Sequence, residues 1–395
     1  MAYNVLFISH ERKMGGANRS LTELASGLRD LGVNVSVVVL HRGCPIDRKL
    51  RDMGIETFPC FFGWWQQPRN WSVFFKIAFR LLHWLQKLSV MRISQYVRKH
   101  QVNIIHSNSS AIDIGAQVAE RTGCKHVWHF REYGEADYCL EYIYGRAKSI
   151  DYVMEHSDMV IFISNALREH YKQFAQNEKV RIIYNGIYSE KKKKIENDQL
   201  GKEKENHTFT FLVTGNIIQG KNQKLVAEAV DILVNQMKVE KNKFQVYFAG
   251  AATALAESKK YRDEIRAYID ERRLDNIIFT GYVDNMDNLR KLADAEIVPS
   301  KSEAYGRVTL EAMISHNLVI ASNSGANPEL IGEDERGLLF ESNNASDLAM
   351  KMMRVMNENT IQFTERAFEY VKSVHVQEEA YRKVQKVYQY ILEKE

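Results

Sequence analysis

The chain has 395 residues, too many for one ordinary core, and this length predicts about two domains. A net charge of +4 is small for this length and does not indicate a nucleic-acid-binding protein. The four cysteines form no C-x-x-C pair, which excludes an obvious zinc site or disulfide framework and is typical of a reduced, cytoplasmic protein. Lysine and arginine interrupt the most apolar segment, so no uncharged run reaches transmembrane length.

The first half alternates apolar runs with helical patterns. "YNVLFIS" is followed by a predicted helix from about Asn18 to Leu31 and then by "VNVSVVVL". The later runs are "VNIIHSN", "KHVWHF" and "MVIFIS". Strands that are apolar throughout and separated by helices predict a parallel sheet covered on both faces.

The segment from Phe61 to His100 has an unusual composition. It contains four of the five tryptophans, and no acidic residue occurs between Glu56 and Asp113. The basic residues Lys76, Arg80, His83 and Lys87 recur at intervals of four, three and four. This spacing predicts one helix with a basic side and an apolar side that packs on the sheet. The helix is either an ordinary covering helix or, in addition, part of a membrane-binding surface.

Tryptophan favours membrane interfaces, and basic side chains are attracted to anionic lipid. We therefore expect the stretch 61–99 to dock the first domain on the cytoplasmic face of the cell membrane. In this hypothesis the residues at the membrane or the acceptor are Trp64, Trp65, Trp71, Arg80 and Lys87.

The second half repeats the pattern with "FTFLVTG", "FQVYFAG", "IIFTGYV", "AEIVPS" and "LVIASN". A polar, aperiodic stretch at 189–208 separates the halves and predicts a linker. The fold class is therefore α/β, with two Rossmann-like doubly wound domains at 1–188 and 209–362 facing a central cleft. A helix within 363–395 is expected to cross back to the first domain.

The segment "PSKSEAYGRVTLEAMISHNLVIASNSGANPEL" contains the most informative spacing. A helix beginning near Gly306 would offer free backbone N–H groups to phosphate. Glu303 and Glu311 lie eight residues apart, or on the order of 10 Å along a helix axis. That distance is too great for a shared proton, so the two carboxylates would contact different parts of one extended ligand.

This segment resembles retaining glycosyltransferases of family 4, which have the GT-B architecture. The resemblance implies that Glu311 binds the ribose of a nucleotide and that Glu303 lies beside the transferred sugar. "TGNIIQGKNQ" resembles the family's diphosphate-binding segment, with Lys221 in the place of its lysine and Asn216 where the family has arginine. Arg307 is the candidate replacement for that cation.

The first half carries the same resemblance. "SHERKMGGANRS" is similar to the family's first glycine loop, where Gly15 and Gly16 approach the ligands, and "YNGI" resembles its hinge-proximal motif. "VWHFREYGE" resembles the segment in which a histidine, here His129, reaches the sugar. The implied catalytic residues are Glu303, His129 and Lys221. The implied donor-binding residues are Gly16, Gly215, Asn216, Lys221, Tyr305, Gly306, Arg307, Val308 and Glu311.

The implied reaction transfers a hexosyl group from a nucleotide diphosphate sugar with retention, without a metal or other cofactor. A UDP-sugar is favoured and GDP-mannose is possible; the expected acceptor is a lipid-linked cell-surface glycan. Glu303 either acts as a nucleophile or orients sugar hydroxyls. One alternative is a non-catalytic binding or chaperone subunit that partners an active enzyme, which Asn216 would suit. Another is a sugar phosphorylase or a nucleotide-sugar epimerase.

Overall fold

The computed structural model describes residues 3–174, 177–189 and 208–394. These residues form two compact units, one of Met1–Gly186 with Gln377–Glu395 and the other of Ile187–Val376. Almost all of the linker expected at 189–208 lies outside the described residues. Each unit is built around its own parallel sheet, as the apolar runs predicted.

The first unit contains a seven-stranded sheet in the order β3-β2-β1-β5-β6-β8-β9, with every pair parallel. Its strands are β1 (Asn4–Ile8), β2 (Asn34–Val39), β3 (Glu56–Pro59), β5 (Ile104–Ser107), β6 (Lys125–Phe130), β8 (Met159–Phe162) and β9 (Val180–Ile182). A separate antiparallel pair joins β4 (Gln66–Pro68) to β7 (Leu140–Tyr142). Central strands such as β1 and β5 are almost entirely buried, which explains their continuous apolar runs.

Nine α-helices of four to seventeen residues surround this sheet in the part of the first unit that the structure describes. They are α1 (Gly16–Asp30), α2 (Pro45–Asp52), α3 (Val73–Leu85), α4 (Lys87–Lys99), α5 (Ile114–Thr122), α6 (Glu135–Tyr138), α7 (Arg146–Glu155), α8 (Asn165–His170) and the C-terminal helix Gln377–Glu393. The C-terminal helix places Val384, Tyr388 and Ile391 in the same apolar cluster as β1 and α1. It is therefore part of the core of the first unit.

The second unit contains a six-stranded parallel sheet in the order β12-β11-β10-β13-β14-β15. Its strands are β10 (Phe209–Thr214), β11 (Phe244–Ala249), β12 (Ile277–Gly281), β13 (Ala295–Val298), β14 (Leu318–Ser322) and β15 (Leu338–Phe340). Its α-helices are α9 (Gln223–Asp231), α10 (Ala256–Arg272), α11 (Asp287–Leu292), α12 (Arg307–Ile314), α13 (Asn327–Ile331), α14 (Ala345–Asn357) and α15 (Ile361–Val374). The loops that follow β10 and β13 carry the candidate site.

Helix α3 has the opposite orientation to the prediction. Its apolar side chains face solvent, and His83 is its one buried residue. Lys76 bonds to Glu141 at 2.8 Å, and His83 lies 3.1 Å from the Asp113 carboxylate. The polar side therefore contacts the unit through Lys76 and His83, while Arg80 remains exposed. The exposed apolar residues of α3 and the start of α4 are Val73, Phe74, Phe75, Ile77, Leu81, Leu82, Trp84, Leu85, Leu88 and Met91.

The expectation that Trp65 lies at a membrane is wrong. Its side chain is 2% exposed, stacks on Trp128 and donates a hydrogen bond to the Ser110 carbonyl. Trp64 is half-buried and bonds to the His10 carbonyl, whereas Trp71 remains exposed. Indoles that fill the core of the unit cannot also contact lipid. Among the described residues, no helix combines the length and apolar character needed to cross a bilayer.

Candidate active site

In the second unit, Lys221 and Glu303 meet although they lie on different loops. Lys221 ends a short helical turn after β10, and Glu303 follows β13. The Lys301 amide donates to the Gly220 carbonyl at 2.9 Å and joins the two loops. The Lys221 ammonium then forms an ion pair with the Glu303 carboxylate, and both side chains retain partial exposure. A cation and an acid, both accessible, are thus held together at the carboxyl ends of neighbouring strands.

Gly325 packs directly against the backbone of Glu303. Gly325 has φ +57, and a Cβ there would lie 2.3 Å from the Glu303 carbonyl oxygen. The adjacent Ala326 amide donates to that same carbonyl at 2.7 Å. The "SGAN" stretch therefore fixes the position of Glu303, because only glycine permits this approach with this backbone angle.

Glu311 lies on α12 between two guanidinium groups. Arg290 and Arg307 each donate to its carboxylate at 2.9 Å. Burial favours the neutral acid, but the two positive charges outweigh it and lower the pKa of Glu311. The carboxylate is therefore ionised and held in one orientation. Arg307, the candidate replacement for the missing diphosphate cation, has its Nε engaged by Glu311.

Sequence reasoning did not find Arg290 or Glu296. Arg290 is buried and also donates to Glu296, a fully buried acid within β13, at 3.0 Å. Burial raises the pKa of Glu296 despite this partner. The available signal was the single acidic residue inside the apolar run "AEIV", since a buried carboxylate normally requires a buried cation. Arg290 thereby links the β13 core to the candidate ribose-binding acid.

Helix α12 begins without a side-chain cap. Gly306 is its N-cap at φ +78, and no acidic residue occupies the first turn. A helix start without a cap or a nearby acid suits an anion, and Val308 of that turn is half-buried. The expectation that the Tyr305 side chain contacts a donor needs correction, because its ring is buried and its hydroxyl bonds to His375 at 2.9 Å.

Gly215 and Asn216 lie in the loop after β10. Gly215 has φ +140 and lies so close to Gly250 that a Cβ on Gly250 would be 1.9 Å from the Gly215 carbonyl oxygen. Asn216 is exposed, and its carbonyl accepts a hydrogen bond from Gln223 at 2.9 Å. The loop backbone is therefore fixed while the Asn216 side chain remains accessible.

In the first unit, His129 ends a buried chain of hydrogen bonds. The Tyr388 hydroxyl lies 2.6 Å from His106 Nδ1, and His106 Nε2 lies 3.1 Å from His129 Nδ1. The guanidinium of Arg131 lies 3.3 Å from the same His129 nitrogen. Burial first, and then the charge of Arg131, lowers the pKa of both histidines well below the ordinary value. Both imidazoles are therefore neutral.

These partners determine the tautomer of His129. An arginine can only donate, so His129 Nδ1 must accept and its proton must be on Nε2. That Nε2 is buried and has no hydrogen-bond partner among the described residues. It lies at a small recess that is also lined by Ser20, Glu23 and Asn185. His129 therefore presents an unused N–H donor, which suits a sugar hydroxyl rather than the role of a charged acid.

The neighbouring motifs of the first unit are held by the same arginine. Arg131 donates to the side-chain oxygens of Asn108 at 2.6 Å and Asn185 at 2.7 Å.

Gly15 caps α1, and a Cβ on Gly16 would meet nothing within 4 Å. The start of α1 thus has no side-chain cap and has open space at Gly16, while the Glu11 carboxylate lies beside Gly15.

Fold and sequence comparisons define the class. Two family profiles match consecutive parts of the chain: "Glycosyltransferase Family 4" over residues 14–191 and "Glycosyl transferases group 1" over residues 192–383. With two parallel-sheet domains, these matches define a glycosyltransferase with GT-B architecture. The chain belongs to the family-4 glycosyltransferases.

Individual relatives are distant. An uncharacterized glycosyltransferase of Methanocaldococcus jannaschii is 24% identical over 54% of this chain and 54% of its own length. The O-antigen biosynthesis glycosyltransferase WclY of Escherichia coli is 25% identical over 62% of this chain and 67% of its own length. The chain spans about half the length of the first curated relatives it matches.

Solved structures agree over nearly the whole chain. HepE of Anabaena, determined with UDP and glucose, has a TM-score of 0.75 at 19% identity and covers 98% of this chain and 99% of its own. A glycosyltransferase of Rickettsia africae has a TM-score of 0.75 at 19% identity and covers both chains completely. At this level of identity the likeness establishes the fold alone.

Proposed function

We propose that this protein transfers a hexosyl group from a nucleotide diphosphate sugar, with a UDP-sugar favoured, to a lipid-linked glycan with retention at the anomeric carbon. The observation that carries the proposal is the Lys221–Glu303 ion pair, which lies in the same unit as the uncapped start of α12 and the ionised Glu311. Cation, acid and free amides are the groups that a diphosphate sugar requires.

Each group has a distinct role in this proposal. The Glu311 carboxylate accepts hydrogen bonds from the ribose hydroxyls. Lys221 and the α12 amides stabilise the charge that develops on the departing diphosphate. The anomeric carbon–oxygen bond to the diphosphate breaks, the acceptor oxygen bonds to that carbon, and the acceptor proton passes to the leaving group. Glu303, released from Lys221 by the diphosphate, either orients the sugar hydroxyls in this single step or first bonds to the anomeric carbon. In the second case the acceptor oxygen then displaces the Glu303 carboxylate from that carbon.

The relatives support the donor and acceptor classes. HepE was determined with UDP and glucose. A UDP-Gal:alpha-D-GlcNAc-diphosphoundecaprenol galactosyltransferase of Escherichia coli is 22% identical over 69% of this chain. A UDP-sugar and a lipid-linked acceptor are therefore our first choices.

The test measures nucleoside diphosphate release from a panel of UDP- and GDP-sugars. We expect Glu311→Ala to raise the donor KM by about tenfold or more and Lys221→Ala to lower kcat, because one loses binding and the other leaving-group stabilisation. Glu257→Ala and Lys259→Ala, two exposed charges on α10, are the matched controls. Wild-type kinetics in both site variants would overturn the assignment, and release from no donor would favour the non-catalytic subunit.

We further propose that the apolar face of α3 and α4, the ten exposed residues between Val73 and Met91, binds an anionic bilayer. Phe74 is 77% exposed, and neither helix contains an acidic residue. Lys87 lies over the Trp84 ring at 4.6 Å, which places a cation beside an interfacial indole. An apolar face this large with only basic charge around it fits anionic lipid better than a neutral protein partner.

Vesicle flotation tests this surface. Phe74→Ser with Leu82→Ser should weaken binding to anionic vesicles by at least tenfold, since each side chain contributes about 1.5–3 kcal/mol when buried. Leu255→Ser with Leu292→Ser, exposed apolar residues of the second unit, should have no effect. If the wild type does not bind vesicles but forms dimers, and the variant Phe74→Ser with Leu82→Ser is monomeric, the face binds a second copy of the chain instead.

A further inference from the structure

A cavity of about 610 Å³ opens beside α3 in the first unit. It lies where α3 passes the start of α7, and its wall combines aromatic and charged side chains. Its lining includes Trp65, Arg80, Asp113, Tyr144, Lys148 and Ser149. None of these residues takes part in the candidate active site.

Three features of the cavity favour an anion. Helix α7 has ten residues, and its N-cap is Gly145, which lines the cavity at φ +83 and provides no side-chain cap. No acidic residue occupies the first turn of α7. Arg80 and Lys148 are both exposed, and neither forms an ion pair with any residue that the structure describes. An uncapped helix start and two available cations therefore line one cavity.

A buried hydroxyl supplies an independent indication of a ligand. Ser149 lines the cavity and is 1% exposed, yet its Oγ has no hydrogen-bond partner within the described chain. Such a group normally finds a partner, because an unsatisfied buried hydroxyl costs about 1–3 kcal/mol. A ligand oxygen in the cavity would provide it.

The one carboxylate in the wall is already engaged. Asp113 accepts hydrogen bonds from Gln86 at 3.0 Å and Gln117 at 2.7 Å, and His83 lies 3.1 Å away. Its carboxylate oxygens are therefore occupied by neighbours other than Arg80 and Lys148. With two cations and one carboxylate in the wall, the net charge of the lining is positive.

We propose that this cavity binds a terminal phosphate group, carried either by a membrane lipid or by a small soluble compound. Two available cations match the roughly −2 charge of a terminal phosphate better than the single charge of a diester. Arg80 lies one turn from Ile77 and Trp84 of the apolar face, so a bilayer that covers this face brings lipid headgroups to the cavity. The lipid source rests on the proposed membrane association, whereas the binding chemistry does not.

Two arms of one experiment test the proposal with the full chain. The first titrates inorganic phosphate and glycerol 3-phosphate by calorimetry. The second measures binding to phosphatidylcholine vesicles doped with phosphatidate or with phosphatidylglycerol at matched surface potential. The cavity variants are Ser149→Ala and the pair Arg80→Gln with Lys148→Gln. The control pair Arg92→Gln with Lys99→Gln removes the same charge from exposed positions of α4.

We expect the wild type to bind phosphatidate vesicles about tenfold more tightly than phosphatidylglycerol vesicles. Both cavity variants should lose this preference and the control pair should keep it, although both pairs lose general attraction of roughly 1 kcal/mol per charge. Phosphate binding by calorimetry without a vesicle preference would support the cavity with a soluble ligand. No phosphate binding and no preference, or a preference that the cavity variants retain, would overturn the proposal. Neither arm depends on sugar transfer, so its outcome is separate from that of the donor panel.

Discussion

His129 shows how a residue distant in sequence can set the chemistry of a candidate site. Its Nε2–H is available because Nδ1 accepts from Arg131 and from His106, and His106 is oriented by Tyr388 of the C-terminal helix. Tyr388 is thus a positioning residue for the reaction that we propose. It contacts no substrate atom in that proposal.

Tyr388→Phe tests this positioning. Removal of the hydroxyl frees His106 to carry its proton on Nδ1. Its Nε2 can then only accept, which favours a proton on His129 Nδ1, removes the Nε2–H donor of His129 and opposes the hydrogen bond from Arg131. We expect kcat for sugar transfer to fall about fivefold with little change in donor KM, since one net hydrogen bond contributes on the order of 1 kcal/mol. Nitrogen NMR of the histidines should report a mixed tautomer at His106. The exposed Tyr390→Phe is the control on the same helix.

The candidate acids were accessible to sequence reasoning, but their partners were not. The spacing of Glu303 and Glu311 after a strand singled out these two acids, whereas Lys221 was found through the resemblance of its segment to family-4 glycosyltransferases. The contacts of Arg290 with Glu311 and of Tyr388 with His106 have no such local signal, because these partners are 21 and 282 positions away in the chain. Only the folded chain brings these groups together.

At the scale of elements, α3 shows what periodicity cannot decide. The spacing of Lys76, Arg80 and His83 correctly predicted two faces, although Lys87 begins α4 and does not continue α3. The polar face meets the unit because Lys76 pairs with Glu141 and His83 with Asp113. A helical pattern defines the faces and does not state which one is covered. The apolar face of α3 is therefore left exposed to solvent.

Two glycines of α1 provide a matched pair for stability. A Cβ on Gly27 would lie 2.0 Å from the Tyr381 ring of the C-terminal helix, whereas a Cβ on Gly16 would meet nothing. We expect Gly27→Ala to lower the free energy of unfolding of the first unit by about 1–3 kcal/mol, because overpacking outweighs the gain in helix propensity. Gly16→Ala should change it by less than about 1 kcal/mol. Urea titration compares the two, and equal stability would mean that the two helices are not packed this closely.

At the scale of the whole molecule, the apolar runs predicted ten strands and both parallel sheets. The strands that they missed, such as β3, β9 and β15, contain only three or four residues. Alternation of so few residues cannot be distinguished from a loop. The two parallel sheets were therefore predictable because the apolar runs of their central strands dominate the pattern. Of the four edge strands only β12 was predicted, and β3, β9 and β15 were not.

The buried histidines predict an acid-sensitive first unit. Burial lowers the pKa of His106 and His129 well below 6.5, and that of His126 to about 4. Between these values and 6.5 the unfolded chain binds more protons than the folded one, so stability falls as pH decreases from about 6.5. Burial raises the pKa of Asp137 to about 6, so this carboxyl group stabilises the folded state as the pH decreases. It is one group against three histidines.

All five tryptophans lie in the first unit, at positions 64, 65, 71, 84 and 128, so their fluorescence reports this unit alone. We expect the free energy of unfolding to decrease between pH 6.5 and 5 by up to about 1.4 kcal/mol per pH unit for each titrating histidine. His126→Gln should reduce this slope, because its side chain no longer titrates, whereas His100→Gln, at a partly exposed position, should leave it nearly unchanged. A flat profile for the wild type over this range would contradict the assignment of neutral, buried imidazoles.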